Sequence, residues 1–70
     1  MRWDAGRMGC GELIVGLKQR LATLPPGSSL ELLAEDPGVS EDLPAWCRLT
    51  GHRLVEAHPP RYVIEPRKEA

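Results

Sequence analysis

A periodic row of leucines between residues 11 and 24 constrains the fold of this chain more than any other feature. The apolar positions recur at spacings of four, four and three, and they are Leu13, Leu17, Leu21 and Leu24, with Ile14 beside them. This spacing places apolar side chains on one face of an α-helix. Such a face must be buried against another layer, which the rest of the chain has to supply.

The length and charge of the chain limit what it can be. Its 70 residues are enough for one small domain, so we expect residues 1–70 to form a single domain with a frayed tail over residues 66–70. Such a domain buries only about 60% of its unfolded surface, which disfavours a large enclosed active site. Nine basic and ten acidic residues give a net charge of −1. Direct, stable binding to nucleic acid is therefore not expected.

The chain shows no sign of membrane insertion or secretion. No apolar run approaches the roughly 20 residues that cross a bilayer, and the N-terminal Met-Arg-Trp-Asp is not the start of a signal peptide. We expect a cytoplasmic protein that makes no contact with membranes. Cys10 and Cys47 are too few and too far apart for a zinc site or a Cys-x-x-Cys pair, and we expect free thiols, no metal and no cofactor.

Turn signals divide the chain into six predicted elements. These are a strand over residues 1–5, a helix over 11–24, a strand over 30–35, a helix ending near residue 50, and strands over 53–57 and 61–65. Pro25, Pro26 and Gly27 end the first helix, and Gly51 follows the second. The order predicts an α/β (α+β) two-layer sandwich of type βαβαββ, with a four-stranded mixed sheet and both helices on one face.

The start of the second helix depends on Pro44. Proline is tolerated in the first turn of a helix, so we expect Asp42 to cap the regular helix, or an irregular turn to precede Pro44. The predicted core residues of this helix are Leu43, Trp46, Cys47 and Leu49.

Cys10 lies where the first helix begins, between two glycines. A cysteine can be a small buried apolar residue, but this position favours exposure. Free N–H groups and the positive end of the helix dipole stabilise a thiolate there, so we predict a reactive Cys10. Leu43 and Trp46 next to Cys47 indicate a packed helix, so we predict a buried Cys47.

A set of motifs resembles the TusA or SirA-like sulfur carrier family. The motifs are Asp4-Ala5 six residues before Cys10, the Pro-Gly break before the second strand, Asp36-Pro37-x4-Asp42-Leu43-Pro44-Ala45-Trp46-Cys47, and the closing Gly-His-Arg-Leu-Val and Arg-Tyr-Val-Ile. The resemblance implies the βαβαββ fold. It also implies a persulfide on Cys10 that is received from a cysteine desulfurase or rhodanese-like donor and passed to an acceptor such as a DsrE-like protein.

The chain departs from the family at the site itself. The family motif is Cys-Pro-x-Pro, whereas this chain has Cys10-Gly11-Glu12-Leu13. Gly11 restores an N–H that could donate to the sulfur, and Glu12 stabilises the helix start while repelling a thiolate. Arg7 is close enough in sequence to compensate that charge. We therefore take Arg7, Gly11 and Glu12 as supporting residues of Cys10.

The resemblance leads to the hypothesis of a sulfur carrier, rather than a complete enzyme, in tRNA thiolation, cofactor maturation or sulfur metabolism. The alternative is a non-catalytic protein-binding or regulatory module that keeps the fold without the relay. The loss of both motif prolines favours that alternative.

Overall fold

The computed structural model describes residues 1–25 and 27–67, and it contains the six elements in the predicted order. They are β1 (Arg2–Gly6), α1 (Cys10–Thr23), β2 (Leu30–Ala34), α2 (Pro37–Thr50), β3 (Arg53–His58) and β4 (Arg61–Glu65). Pro26, which was predicted to help end the first helix, lies outside the described residues, as do residues 68–70 of the predicted tail.

The four strands form one mixed sheet in the order β1-β2-β4-β3. β1 pairs with β2 in parallel, and β4 lies antiparallel to both β2 and β3. The parallel pair is joined through α1, as a βαβ unit requires.

One face of the sheet carries both helices. Leu30, Leu32 and Ala34 alternate along β2 and are buried in the same cluster as Tyr62 and Ile64 of β4. The cluster is completed by three residues of each helix, which are Leu13, Leu17 and Leu21 of α1 and Val39, Leu43 and Cys47 of α2. The predicted two-layer arrangement and the leucine face of α1 are therefore confirmed.

The opposite face of the sheet is open and charged. Arg2 and Arg61 both pair with Glu31 on β2, and Arg61 also pairs with Glu56 at 3.0 Å. These side chains connect all four strands, and the hydrogen bond from Arg61 lowers the pKa of Glu31. Since the charges of this face compensate one another, it has little attraction for a charged partner.

The second helix begins earlier than the sequence analysis predicted. Asp36 is its N-cap and accepts a hydrogen bond from the Gly38 N–H at 3.0 Å, while Pro37 occupies the first turn. Proline is favoured there because an N–H in the first turn has no acceptor within the helix, so a residue without an N–H loses no hydrogen bond. Pro44 consequently lies inside the helix and leaves the carbonyl of Ser40 without its helical donor. Ser40 is exposed, so solvent can supply that hydrogen bond.

The earlier start also adds Val39 to the buried face of α2. Val39, Leu43 and Cys47 follow one another at spacings of four and form its core face. Leu49 was predicted to belong to this core, but 86% of it is exposed. Trp46 is half-buried against the edge of the core. The assignment of Leu49 was wrong because Leu49 follows Cys47 by two residues and so lies about 200° from it around the helix, on the outer face.

The end of α2 and the residues after β4 are connected by side-chain contacts. Gly51 ends the helix at a φ of 83°, and its N–H donates to the Cys47 carbonyl. The Arg67 N–H donates to Nδ1 of His52 at 3.0 Å, and its guanidinium donates to the Thr50 carbonyl at 3.1 Å.

Among the described residues, no helix is long and apolar enough to cross a membrane.

Candidate functional site

Cys10 is the first residue of α1, and its thiol is partly exposed. Gly9 is the N-cap in extended conformation, and it provides no side chain that could cap the helix. The loop before it is turned by Gly6 at a φ of 58°, whose N–H donates to the Asp4 carboxylate at 2.9 Å. The predicted position of Cys10 at the start of the helix is thus confirmed.

The electrostatic surroundings of Cys10 are acidic. Partial burial raises the pKa of the Cys10 thiol to about 11, and hydrogen bonding to the Asp42 carboxylate and the negative charges of Asp42 and Asp36 add to the effect. A thiol with a nearby carboxylate keeps its proton because the thiolate would be repelled. The prediction that the helix start lowers the thiol pKa is therefore wrong for the free chain.

Asp42 is the residue that the sequence analysis missed. It was predicted to cap a helix starting near Pro44, where its carboxylate would accept hydrogen bonds from backbone N–H groups. Because α2 starts at Pro37, Asp42 lies in the second turn of that helix and acts on Cys10. The pair Asp36-Pro37 was the available signal, since a capping residue followed by proline is typical of a helix start.

Of the three residues predicted to support Cys10, two lie in the first turn of α1 and the third pairs with a residue outside that helix. Arg7 is strongly exposed and forms an ion pair with Glu35 at 3.9 Å, and it is not among the groups that shift the Cys10 thiol. Glu12 is exposed in the first turn of α1. Gly11 is exposed beside Cys10, and a Cβ added there would meet no atom within 4 Å.

Cys47 differs from Cys10 in its burial. Only 3% of it is exposed, and desolvation raises the pKa of the Cys47 thiol to about 11. The prediction that Cys47 is a core residue is confirmed. Within residues 1–25 and 27–67, no group of three or more histidine, cysteine or acidic side chains is arranged to hold a metal ion.

The two histidines are not among the groups that shift the pKa of the Cys10 thiol. His52 packs its ring on Trp46, with 5.3 Å between ring centroids, at the C-terminal end of α2. Desolvation and the nearby Arg67 lower the pKa of His52. His58 ends β3 and is exposed. Neither acts on the Cys10 thiol.

A shallow groove of about 430 Å³ lies next to the start of α2. It is bounded by Asp36 and Pro37 on one side, by Pro59 and Pro60 of the β3–β4 connection on the other, and by Tyr62. Asp36 thus lines this groove and also contributes to the potential at Cys10.

Comparison with known protein families agrees with this fold. The family model described as "Sulfurtransferase TusA" matches residues 1–68. The chain belongs to the TusA family. The resemblance inferred from the sequence motifs is therefore confirmed over nearly the whole length of the chain.

Several named members of the TusA family are similar to this chain. "Sulfur carrier protein TusA" of Pseudomonas fluorescens (strain SBW25) is 38% identical over 53 residues, which are 76% of this chain and 64% of the relative. The protein of the same name from Pseudomonas aeruginosa (strain PAO1) is 38% identical over 76% of this chain and 67% of its own length. That of Pseudomonas syringae pv. tomato (strain DC3000) is 38% identical over 74% and 62%. The alignments thus leave about a third of each relative unmatched.

Proposed function

We propose that this chain is a sulfur carrier that holds sulfane sulfur as a persulfide on Cys10. The observation that carries the proposal is a partly exposed cysteine at the first residue of α1 in a member of the TusA family. The similar Pseudomonas proteins are named sulfur carriers. Cys47 is a poor candidate because it is buried.

Loading requires only a thiol exchange with a donor persulfide. The Cys10 thiolate attacks the terminal sulfur of the donor, the sulfur–sulfur bond of the donor breaks, and the donor thiolate leaves with the electron pair of that bond. The proton lost from Cys10 ends on the donor thiol. The result is a Cys10 persulfide and a reduced donor, with no external oxidant or reductant.

Partial burial and the acidic surroundings of Cys10 make the free chain a slow acceptor. With a thiol pKa of about 11, only about one molecule in a few thousand carries a thiolate at pH 7.5. A donor that brings a positive group next to Asp42 would offset this charge and increase the thiolate fraction. Loading would then be fast in the complex and slow in free solution.

Unloading reverses the same exchange. An acceptor thiolate attacks the terminal sulfur of the Cys10 persulfide, and Cys10 leaves as a thiolate. A leaving group with a high pKa leaves slowly. The same burial and carboxylates would therefore retain sulfur on the free chain until an acceptor binds.

The partners follow from this role as part of the proposal. A donor of the cysteine desulfurase or rhodanese-like class and an acceptor such as a DsrE-like protein would use Cys10 in a cytoplasmic relay. The relay would serve tRNA thiolation, cofactor maturation or sulfur metabolism.

Intact mass after incubation with a small-molecule persulfide donor tests the proposal. We expect a gain of one sulfur that is removed by reductant, absent in Cys10→Ser and retained in Cys47→Ser. The absence of an adduct on the wild-type chain, or its retention in Cys10→Ser, would contradict the carrier.

The second candidate is a binding or regulatory module without relay activity. One observation favours it specifically, which is the raised pKa of the Cys10 thiol. For this module we expect no sulfur adduct at any pH up to 9. Loading that rises with pH as the thiolate forms would support the carrier instead.

A further inference from the structure

A second and larger groove lies between the C-terminal halves of the two helices, and it has a volume of about 500 Å³. Lys18 and Ala22 of α1 form one wall, and Trp46 and Leu49 of α2 form the other. Lys18 and Ala22 are four residues apart, so they project from the same face of their helix.

Exposed apolar side chains lie in this groove and next to it. Leu49 is 86% exposed. Val15, which is 58% exposed, precedes Lys18 by three residues and extends the same face of α1 toward Cys10. Leu49 and the half-buried Trp46 thus give the groove an apolar wall that a partner can cover.

One end of the groove is held in place by hydrogen bonds. Arg67 donates to both His52 and the Thr50 carbonyl, and the ring of His52 packs on Trp46. A partner would thus meet a preformed wall, and the loss of side-chain entropy on binding would be small.

The charge of the groove is positive, although the net charge of the chain is −1. Lys18 and Arg67 line it, and no acidic residue does. Within the part of the chain that the structure describes, neither cation lies within 4.0 Å of a carboxylate. The arginines of the open sheet face, in contrast, are compensated by Glu31, Glu56 and Glu65.

We propose that this groove binds an acidic segment of a partner protein, which places an apolar side chain against Trp46 and Leu49 and its carboxylates near Lys18 and Arg67. Charge complementarity selects this partner over two others. A second copy joined through the same groove would place the positive charges of Lys18 and Arg67 against the same charges of the other copy. Nucleic acid needs more than two cations to bind with useful affinity.

The groove is also placed to direct a partner toward Cys10. Lys18 follows Cys10 by eight residues on one helix, a distance of about 12 Å along the axis. A protein seated in the groove would cover this length easily. Use of the groove for sulfur transfer rests on the proposed function, whereas its binding of an acidic segment does not.

The test is an NMR titration of the ¹⁵N-labelled full chain in its Cys10→Ser form, which removes sulfur chemistry from the measurement. Two short synthetic peptides share the same leucines and differ only in carrying aspartates or lysines between them. We expect the acidic peptide to shift the indole N–H of Trp46 and the amides of Lys18 and Ala22, and the lysine peptide to cause no shift.

Two charge reversals sharpen the test. Lys18→Glu should weaken binding of the acidic peptide roughly tenfold, because it replaces an attraction by a repulsion. Arg48→Glu changes the charge equally on an exposed residue of α2 that does not line the groove, and should change the affinity less than about twofold. Equal weakening by both reversals would overturn the proposal.

Other outcomes would also overturn it. They are an equal response to both peptides, shifts confined to residues outside the groove, no response to the acidic peptide, and concentration-dependent shifts without peptide, which would indicate a second copy of the chain. Failure of persulfide loading on the wild-type chain would refute the proposed function and leave this result unchanged.

Discussion

The backbone N–H of Leu13 donates to the carbonyl oxygen of Gly9 at 2.9 Å, and this bond closes the first turn of α1. The side chain of Leu13 is fully buried. Gly11 lies between them in the first turn, where an N–H has no helical acceptor, and a Cβ added to it meets open space. The two positions that are proline in the family motif are therefore structurally unequal in this chain.

This inequality predicts opposite outcomes for restoring each proline. Gly11→Pro should leave the free energy of unfolding unchanged or raise it by up to about 1 kcal/mol, because proline suits the first turn and restricts the unfolded chain. Leu13→Pro should lower it by about 3 kcal/mol or more, because it removes both a helical hydrogen bond and a core side chain. Urea unfolding measures both, and equal effects would contradict the assignment of the first turn.

The acidic neighbour of Cys10 predicts a change in thiol acidity. Asp42→Asn should lower the pKa of the Cys10 thiol from about 11 toward the ordinary value of 9.0, since the carboxylate favours the protonated form. Alkylation at pH 8 should become faster, and the thiolate absorbance should appear at lower pH.

Two variants serve as controls for that measurement. Glu41→Gln removes a charge from an exposed residue next to Asp42. Because Glu41 does not act on the Cys10 thiol, this variant should leave the thiol pKa unchanged. Gly11→Pro should also leave it unchanged, because the Gly11 N–H is not among the causes of the shift. A pKa that rises in Gly11→Pro would instead reveal a hydrogen bond from Gly11 to the thiolate.

The fold could be predicted from the sequence where the periodicity was unambiguous. The leucines of α1 and the alternation of Leu30, Leu32 and Ala34 on β2 specify which face is buried, and the structure agrees. The start of α2 was predicted wrongly because Pro44 was taken as its first-turn proline, whereas Pro37 occupies that position. Leu43 and Cys47 were still correctly assigned to the core, since the phase of a helix does not depend on where it begins.

The error at the candidate site arose from contacts between distant parts of the chain. Arg7, the nearest basic residue to Cys10 in sequence, pairs with Glu35 instead of the thiol. The carboxylates that add to the rise of the thiol pKa, Asp42 and Asp36, belong to α2 and its N-cap, more than twenty residues away in sequence. Their approach depends on how the two helices pack on the sheet, which periodicity does not specify.

Gly16 allows a tryptophan to pack against α1. A Cβ added at Gly16 would lie 2.7 Å from the ring of Trp3, which is covered by the Arg20 guanidinium at 3.8 Å from its centroid. We expect Gly16→Ala to lower the free energy of unfolding by about 1 kcal/mol, although alanine favours helices, because the displaced ring loses its packing.

Gly11→Ala is the matched control for Gly16→Ala, since it is also a helical glycine but has open space around it. It should be neutral or stabilising by up to about 1 kcal/mol. Urea unfolding and the near-ultraviolet circular dichroism of the tryptophans measure both variants. A stabilising Gly16→Ala would show that the Trp3 ring moves without cost.

The buried thiol of Cys47 predicts a loss of stability at high pH. Its pKa is raised from 9.0 to about 11 in the folded chain, so between these values the folded state keeps a proton that the unfolded state has lost. The free energy of unfolding must then fall as pH rises through this window, whereas below pH 9 the contribution of Cys47 is fully present.

Cys47→Ala removes this titration, and its free energy of unfolding should decline less than that of the wild type between pH 8.5 and 10.5, by roughly 2 kcal/mol. Tyr62 titrates in both proteins and cancels in the comparison. Guanidinium unfolding under reducing conditions measures the difference, and parallel pH profiles would show that the Cys47 thiol ionises as readily in the folded chain as in the unfolded one.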